Sequence, residues 1–407
     1  MIRPAPDPTA PASGPDLLSG PDAGDILDAV VAQAGGKVWS WRLHHLDVQP
    51  GRGCTAGYRV RVRWPDGREA DERFAAYTGA APPGTTVVGD GTDRVAVWRF
   101  PHDPYLPALA TAYDAGAVGR LMASFGLPPG PVRLVLRAYR PRRRAVVEAV
   151  GPRGRLFLKV VRPEQAEPLH RRHRLVTGAG VPAPPSLGYT PEGLVVLEAL
   201  PGRTLRQALL AGGERPPSAA AVQALLDRLP AELATLPRRP GWRARAPHYA
   251  AVVGTALPSE DGRARQLAAE IAAGGGEGPT VPVHGDLYEN QLRVAGGRIC
   301  GLLDLDTAGA GERLDDLACL LGHLGVLAQV RPDRAAVVNR LGSRYLAAFT
   351  RAGDPVDLRY RVAAVVLSLA TGPYRVQEDG WRDATRRRLD LVERWVDSAR
   401  RVSRIRP

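Results

Sequence analysis

The sequence predicts an α+β protein in which an N-terminal module precedes two lobes, the first rich in strands and the second helical. Three observations predict this architecture. The chain has 407 residues, which is too long for one small domain. Before residue 200, several segments alternate between apolar and polar residues, as half-buried strands do. After it, apolar residues recur every three or four positions, as they do in amphipathic helices.

The N-terminal part is predicted to hold a tail and a separate module. Residues 1–22 are rich in proline and alanine, as disordered segments are. Residues 23–130 form an α+β accessory module, in which Tyr58–Trp64 alternates like a strand and 108–125 has helical spacing. The Gly- and Pro-rich segment 126–130 closes this module.

Residues 131–200 predict the strand-rich lobe, and residues 201–407 predict the helical lobe. The first has three strands, one helix and a closing strand: Arg133–Tyr139, Ala145–Val150, Arg155–Val161, the helix of Leu169, His173 and Val176, and Leu194–Leu200. Helices of the second have apolar positions from Val222 to Leu236, Val338 to Phe349 and Leu389 to Ala399. The stretch Val281–Asp306 interrupts them with loops and short strands.

The composition argues against membrane, secreted and zinc proteins. No apolar run approaches the roughly 20 residues that span a bilayer, and Met1–Asp22 lacks the features of a secretory signal. Cys54, Cys300 and Cys319 are too few and too scattered for a disulfide framework or a zinc site. We therefore expect the reducing cytoplasm as the location.

The net charge of +13 does not predict a nucleic-acid partner. Of the 55 basic residues, 53 are arginines, and they are spread over the whole chain. No zinc finger, RNA-binding sheet motif or basic zipper accompanies them. A solvated basic surface, as a GC-rich genome produces in any protein, is the favoured interpretation.

Two candidate functional carboxylates lie within the stretch Val281–Asp306. In His284-Gly285-Asp286-Leu287, Asp286 lies on a loop, and Asp304 follows an apolar strand after a tight hairpin. Phosphoryl transfer needs one carboxylate to orient and deprotonate the acceptor hydroxyl and another to hold magnesium on the phosphates. This order of loop and hairpin places both acids around one cleft, and His284 is expected to pack beneath the loop.

These motifs resemble those of the aminoglycoside phosphotransferase and choline kinase superfamily, whose members share the fold of protein kinases. The resemblance rests on His284–Leu287, Gly301–Asp304, Gly309, Gly311 and Asp316–Ala318. It extends over about Val132–Trp395. It implies a bilobal kinase-like fold and transfer of a phosphoryl group from ATP or GTP, with Mg²⁺, to a hydroxyl of a small molecule.

The resemblance also implies roles for single residues. Asp286 matches the catalytic base, and Asp304 matches the magnesium-binding aspartate. Lys159, one of only two lysines, matches the lysine that binds the α- and β-phosphates. The segment Glu198-Ala199-Leu200 resembles the hinge between the lobes, whose backbone reads the adenine.

Two positions depart from the family pattern, and so does the turn that covers the phosphates. The second metal ligand is usually asparagine, but Gln291 occupies its place and Asn290 precedes it. Glutamine here resembles the maltokinase and glucosamine kinase branch, which also carries an N-terminal cap domain, and this favours a sugar acceptor. For the glutamate that pairs with Lys159 we expect Glu167, since Pro168 is expected to begin the helix.

The turn that covers the phosphates is arginine-rich here instead of glycine-rich. Arg142 and Arg143 could bind the β- and γ-phosphates bidentately, or they could form an ordinary solvated basic turn. For the acceptor we expect side chains of the helical lobe: Asp306, Tyr374, Arg375, Gln377, Glu378 and Trp381.

Three functions compete at this point. A sugar or amino-sugar kinase is favoured. An aminoglycoside phosphotransferase uses the same chemistry but needs an acidic cleft, and no acidic run follows Asp316. A catalytically silent binding protein has no need of Lys159, Asp286 and Asp304 together.

Overall fold

The computed structural model describes residues 14–89, 94–128, 130–152 and 154–405. In these ranges, no helix combines the length and the apolar character that crossing a membrane requires. Three hydrophobic cores lie in the N-terminal module, the strand-rich lobe and the helical lobe. The predicted α+β architecture, with a strand-rich lobe, a helical lobe and an accessory module before them, is confirmed.

The N-terminal module is an antiparallel five-stranded sheet with helices before and after it. Its strands lie in the order β1-β2-β3-β5-β4. Their bounds are β1 Lys37–Gln49, β2 Gly53–Arg63, β3 Glu69–Tyr77, β4 Thr86–Val88 and β5 Val95–Arg99. Helices α1 Gly14–Ser19 and α2 Asp22–Gln33 share the core of this sheet, whereas α3 Leu109–Ala112 and α4 Ala115–Ser124, which follow it in the chain, pack into the core of the strand-rich lobe.

The predicted tail is wrong for residues 14–22, whereas residues 1–13 lie outside the described part of the chain. Helix α1 lies against the sheet because Leu18 is fully buried there. The Tyr58 hydroxyl, on β2, donates a hydrogen bond of 2.7 Å to the Leu18 carbonyl oxygen. Burial of this leucine side chain, worth about 1.5–3 kcal/mol, outweighs the poor helical composition around it.

The strand-rich lobe is a second antiparallel sheet, in the order β6-β7-β8-β10-β9. Its strands are β6 Arg133–Arg140, β7 Arg144–Gly151, β8 Gly154–Val160, β9 Ser186–Tyr189 and β10 Leu194–Glu198. Helix α5, Pro163–Gly178, packs on this sheet through Ala166 and Leu169. The helix begins at Pro163, five residues before the predicted start, and it contains Pro168 in its second turn.

The helical lobe surrounds two small sheets, β11-β13-β14 and β12-β15. The strands are β11 Arg203–Thr204, β12 Thr280–Val283, β13 Leu292–Ala295, β14 Arg298–Leu302 and β15 Gly309–Glu312. The helices are α6 Leu205–Ala211, α7 Ala219–Asp227, α8 Ala246–Ala256, α9 Asp261–Ala273, α10 Arg313–Val330, α11 Ala335–Phe349, α12 Pro355–Ala370, α13 Gly372–Arg375 and α14 Trp381–Ile405.

Five short 3₁₀ segments complete the described part of this lobe: Ala231–Thr235, Arg243–Arg245, Pro258–Glu260, Leu305–Thr307 and Pro332–Arg334. The helix predicted from Val222 to Leu236 ends at Asp227, and a 3₁₀ segment, Ala231–Thr235, carries Leu233, while Leu229 and Leu236 lie outside both elements. Pro230 explains the break, since proline lacks the amide hydrogen that continues a helix.

Candidate active site

The catalytic loop, residues 284–291, connects β12 to β13 and is held from below by a buried carboxylate. Asp316, in the first turn of α10, accepts hydrogen bonds from the backbone N–H groups of His284 and Gly285, each of 2.7 Å. Its side chain is completely buried. A buried carboxylate with two N–H donors fixes the backbone strongly, because charge-assisted hydrogen bonds are roughly twice as strong as neutral ones.

His284 fixes the same loop with its side chain, as predicted. It is fully buried, and its Nε2 lies 2.8 Å from the carbonyl oxygen of Leu303. The Asp286 backbone N–H donates to Nδ1 of His284 over 3.3 Å. Nδ1 is therefore the acceptor and Nε2 the donor. The imidazole thus connects the loop of Asp286 to the strand end that precedes Asp304.

Asp286 projects from this loop into the cleft between the lobes. Burial raises the pKa of its carboxyl group, and the neighbouring Asp304 adds to this, whereas His284 and Arg144 oppose it. The Cys319 thiol lies 3.8 Å from Oδ1 of Asp286. A carboxylate with a raised pKa is a better proton acceptor than a free aspartate, as general-base catalysis requires.

Asp304 follows β14 in the helical lobe and has a left-handed backbone conformation with φ of 60°. Its Oδ1 accepts a hydrogen bond of 2.5 Å from Nζ of Lys159. Although burial alone would raise it, Lys159 and Arg144 hold the pKa of Asp304 well below its ordinary range. Left-handed backbone at a residue other than glycine is strained by about 1–3 kcal/mol and concentrates at functional sites.

Lys159 bridges two carboxylates, those of Asp304 and Asp306. The expected pair with Glu167 is not formed, because Glu167 is exposed on α5. The lysine is buried, 5% exposed, and reaches across the cleft to the helical lobe. Asp306, which we expected to contact the acceptor, is instead an ion-pair partner of Lys159 and Arg144.

Gln291 and Asn290 point to different places. Nε2 of Gln291 donates a hydrogen bond of 3.4 Å to Oδ2 of Asp304, whereas Asn290 lines a separate cavity beside Asp286. Asp304, Asp306 and the Gln291 amide supply the oxygen ligands that magnesium prefers. In this structure Lys159 and Arg144 pair with these acids, so a magnesium ion would have to displace one of the cationic groups from the carboxylates.

The arginine-rich turn between β6 and β7 uses its three arginines differently. The guanidinium of Arg142 lies 3.3 Å from the ring centre of Tyr77 and donates to Thr55 Oγ1 over 2.9 Å. Arg143 pairs with Asp47 at 3.3 Å. The expectation that Arg142 and Arg143 bind the phosphates is therefore not met, since both are engaged by the N-terminal module.

Arg144 is the arginine of this turn that reaches the acids of the cleft. It contacts Asp306 at 2.7 Å and Asp304 at 3.3 Å. Because β6 and β7 pair in register up to Arg140 and Arg144, the hairpin projects this side chain over the cleft. Sequence reasoning missed Arg144, although it directly follows the two arginines that were chosen.

The hinge segment lies where it was expected, directly after β10. The N–H of Glu198 donates to the Pro185 carbonyl oxygen over 3.0 Å, so it is not free for a nucleotide. Ala199 and Leu200 make no backbone hydrogen bond to the described part of the chain. Their backbone groups are therefore the available adenine contacts of this segment.

The acceptor cavity, of about 740 Å³, lies beside Asp286 and is closed by parts of all three units. Strand β1 contributes Leu46, Asp47 and Val48 to its wall. Of the expected acceptor residues, Tyr374, Arg375 and Glu378 line it, whereas Gln377 and Trp381 do not. Tyr374 and Trp381 also pack into the core of the N-terminal module, with their rings 4.8 Å apart.

A second cavity, of about 610 Å³, lies on the other side of Asp286. Arg144, Asp306 and the beginning of α5 line it. Asp286 therefore lines both a cavity that contains Arg144 and Asp306 and a cavity large enough for an acceptor.

Two further residues of the site escaped sequence reasoning. Asp316 belonged to a motif that was noted, but its role is tertiary, since it acts on a loop about 30 positions away in the chain. Arg245 lines the acceptor cavity just before α8, and no motif surrounds it.

Comparisons with known proteins place these observations in a family. The chain is similar to the apo form of a thermostable mutant of aminoglycoside phosphotransferase APH(4)-Ia, with 16% identity, a TM-score of 0.48, and coverage of 68% of this chain and 97% of that one. Macrolide 2'-phosphotransferase MphH from Brachybacterium faecium is similar with 20% identity and a TM-score of 0.43, and the match covers 67% of this chain and 97% of that one. Aminoglycoside phosphotransferase APH(3'')-Id from Streptomyces rimosus is similar with 18% identity and a TM-score of 0.41, and the match covers 62% of this chain and 97% of that one.

No curated protein matches the sequence significantly. The model of the phosphotransferase enzyme family matches residues 132–363, which is more than half of the chain. This range contains the catalytic loop, both cleft acids and Lys159. The chain therefore belongs to the phosphotransferase enzyme family.

Proposed function

We propose that this phosphotransferase transfers the γ-phosphoryl group of ATP, in a magnesium-dependent reaction, to a hydroxyl group of a sugar or a related polyhydroxy compound. The observation that carries the proposal is the position of Asp286 between the two cavities. A base at this junction can contact an acceptor hydroxyl on one side while the phosphates lie on the other.

Each side chain of the cleft has a task in this reaction. Asp286 orients the acceptor hydroxyl and takes its proton, and Lys159 and Arg144 turn from the acids to the phosphates. Asp304 and the Gln291 amide oxygen would hold the magnesium ion, which neutralises charge on the transferred group. The backbone of Ala199 and Leu200 would bind the base of the nucleotide.

The runner-up, phosphorylation of an aminoglycoside, meets an electrostatic obstacle. Seven arginines line the described part of the acceptor cavity: Arg140, Arg143, Arg206, Arg239, Arg245, Arg375 and Arg388. Only three carboxylates accompany them: Asp47, Asp286 and Glu378. Such a cavity repels a polycationic antibiotic and also disfavours the amino sugars that the sequence left open.

An acceptor panel tests the proposed function. ADP release from ATP and magnesium should rise when neutral sugars are added and should stay at the background rate with kanamycin or hygromycin B. Phosphorylated product, identified by mass spectrometry, separates transfer from simple ATP hydrolysis. If only the aminoglycosides stimulate ADP release, the runner-up function is correct.

Gln291→Ala should raise the magnesium concentration needed for half-maximal activity, and Asn290→Ala should change it little. The reason is geometric, since only the Gln291 amide lies beside Asp304, whereas Asn290 faces the acceptor cavity. Loss of one ligand is expected to weaken metal binding by about 10- to 100-fold, as loss of a supporting group does.

Magnesium titrations of both variants at saturating ATP check this prediction, and Asn290→Ala is the matched control. That variant should instead raise KM for the acceptor. The opposite ranking of the two variants would show that Asn290 is the ligand and that the loop is read in the wrong register.

A further inference from the structure

We propose that the acceptor carries an anionic group, a carboxylate or a phosphate, and that Arg245 and Arg375 bind it. This inference rests on the proposed function, because it describes the substrate of the same site. The seven arginines of the acceptor cavity differ in whether their guanidinium groups already have a partner within the protein.

Four of the seven arginines have one, and among them Arg239 donates to the Asp306 carbonyl oxygen over 3.3 Å. Arg206 pairs with the buried carboxylate of Glu289 at 2.6 Å, and Arg143 pairs with Asp47 at 3.3 Å. Arg388 donates to the Leu369 carbonyl oxygen over 2.6 Å. These guanidinium groups are satisfied by the fold.

The guanidinium of Arg245 has a fixed position but no hydrogen-bond partner in the described part of the chain. It lies over the ring of Trp242, 4.1 Å from the ring centre, and 5.9 Å from that of Tyr249. Its Nε is buried and unpaired. Two aromatic faces thus hold a cation whose donors face the cavity, an arrangement that lowers the entropy lost when a ligand binds.

Arg375 is in a similar position on the other side. It is half-buried at the end of α13, and its guanidinium makes no hydrogen bond or ion pair within the described residues. The preceding Tyr374 anchors this segment, because it packs into the core of the N-terminal module. Burial lowers the pKa of Arg375 and the neighbouring Arg143 adds to this, whereas the carboxylates of Asp47 and Asp286 oppose it, and a guanidinium remains charged at neutral pH.

Cations that are withdrawn from water without a counter-ion are unfavourable, and a bound anion removes that penalty. A carboxylate or a phosphate suits this site because each accepts two parallel hydrogen bonds from a guanidinium. Asp286 lines the same cavity, so an acceptor bound through its anion can present a hydroxyl to the base.

Four glucose derivatives of different charge test the inference: glucose, glucosamine, glucuronate and glucose 6-phosphate. ADP release gives kcat/KM for each with the wild type, Arg245→Gln and Arg375→Gln. Arg265→Gln is the control, because it removes the same charge from an exposed arginine on α9 that pairs with Asp261. We expect the wild type to prefer glucuronate or glucose 6-phosphate over glucose by about 10- to 100-fold, the value of one or two charged hydrogen bonds.

Each cavity variant should lose that preference through a higher KM for the anionic sugars, while KM for ATP remains as in Arg265→Gln. Calorimetric titration of the two anionic sugars, with AMP-PNP and magnesium filling the phosphate site, gives the same comparison without turnover. Comparison of glucuronate with glucose 6-phosphate shows which anion is preferred.

The outcomes separate the two proposals. If glucose or glucosamine is the best acceptor, or if the variants keep the wild-type preference, the inference is overturned and the proposed function stands. If no acceptor is phosphorylated, the proposed function fails, and binding then decides the inference alone. Equal binding of glucose and the anionic sugars would overturn it.

Discussion

Asp286→Asn should lower kcat by about 10²–10⁴-fold, the usual contribution of a general base, and should leave ATP binding intact. Asparagine has the size of aspartate but cannot take the proton of the acceptor hydroxyl. In the proposed function the nucleotide contacts come from Lys159, Arg144 and the hinge, so they should persist in the variant. Steady-state kinetics and equilibrium binding of an ATP analogue, measured on the same preparation, check both halves of this expectation.

The pH dependence of kcat/KM gives an independent readout. Because burial raises the pKa of Asp286 above 3.8, the wild-type rate should fall on the acid side at a pH above the range of an ordinary aspartate. Deprotonated aspartate is the active form, so activity is present above that pKa and lost below it. Asp333→Asn, an exposed control, should keep the profile. A variant at position 286 with nearly the wild-type rate would exclude Asp286 as the base.

Lys159→Met should lower kcat/KM for ATP by about 10²–10³-fold, the typical effect of removing one preorganised electrostatic group. Lys159 is the buried cation between Asp304 and Asp306, and methionine preserves its volume without the charge. Two buried acids then remain with less compensation, so the variant should also unfold at a lower temperature. Kinetics at varied ATP and thermal unfolding measure the two effects.

Magnesium offers a diagnostic here. If the two acids hold the metal, added magnesium should restore more of the melting temperature in Lys159→Met than in the wild type, because the ion replaces the missing charge. The chain contains one other lysine, Lys37, which is exposed at the beginning of β1, so Lys37→Met is a matched control. Unchanged KM and kcat for ATP in Lys159→Met would mean that this lysine has only a structural role.

The sequence predicted the site where local pattern determines it. Asp286 lies between the short apolar strands β12 and β13, and Asp304 follows β14. The spacing between the two acids is set by one hairpin, β13–β14. Lys159 was identifiable because a lysine within an apolar strand of an arginine-rich chain is unusual. In each case the position within a strand or loop can be inferred from neighbouring residues alone.

The partners of these residues could not be predicted in the same way. Glu167 was chosen because it is near Lys159 in the chain, yet the partners in the structure are Asp304 and Asp306, which are 145 and 147 positions away and belong to the other lobe. Arg142 binds aromatic side chains of a different module, which no motif of the hairpin reveals. Tertiary contacts of this kind depend on how sheets pack, and composition carries no record of them.

Strand β1 gives the acceptor cavity a wall that does not belong to the catalytic lobes. Part of the cavity wall is thus encoded outside the stretch that carries Asp286, whereas Arg245 and Arg375 of the same cavity belong to the helical lobe. Substitutions at Leu46, Asp47 and Val48 can reshape that wall without displacing Asp286, which is held by Asp316 and His284 in the helical lobe. This division allows a lineage to change its substrate by altering the N-terminal module while the phosphoryl-transfer apparatus is inherited unchanged.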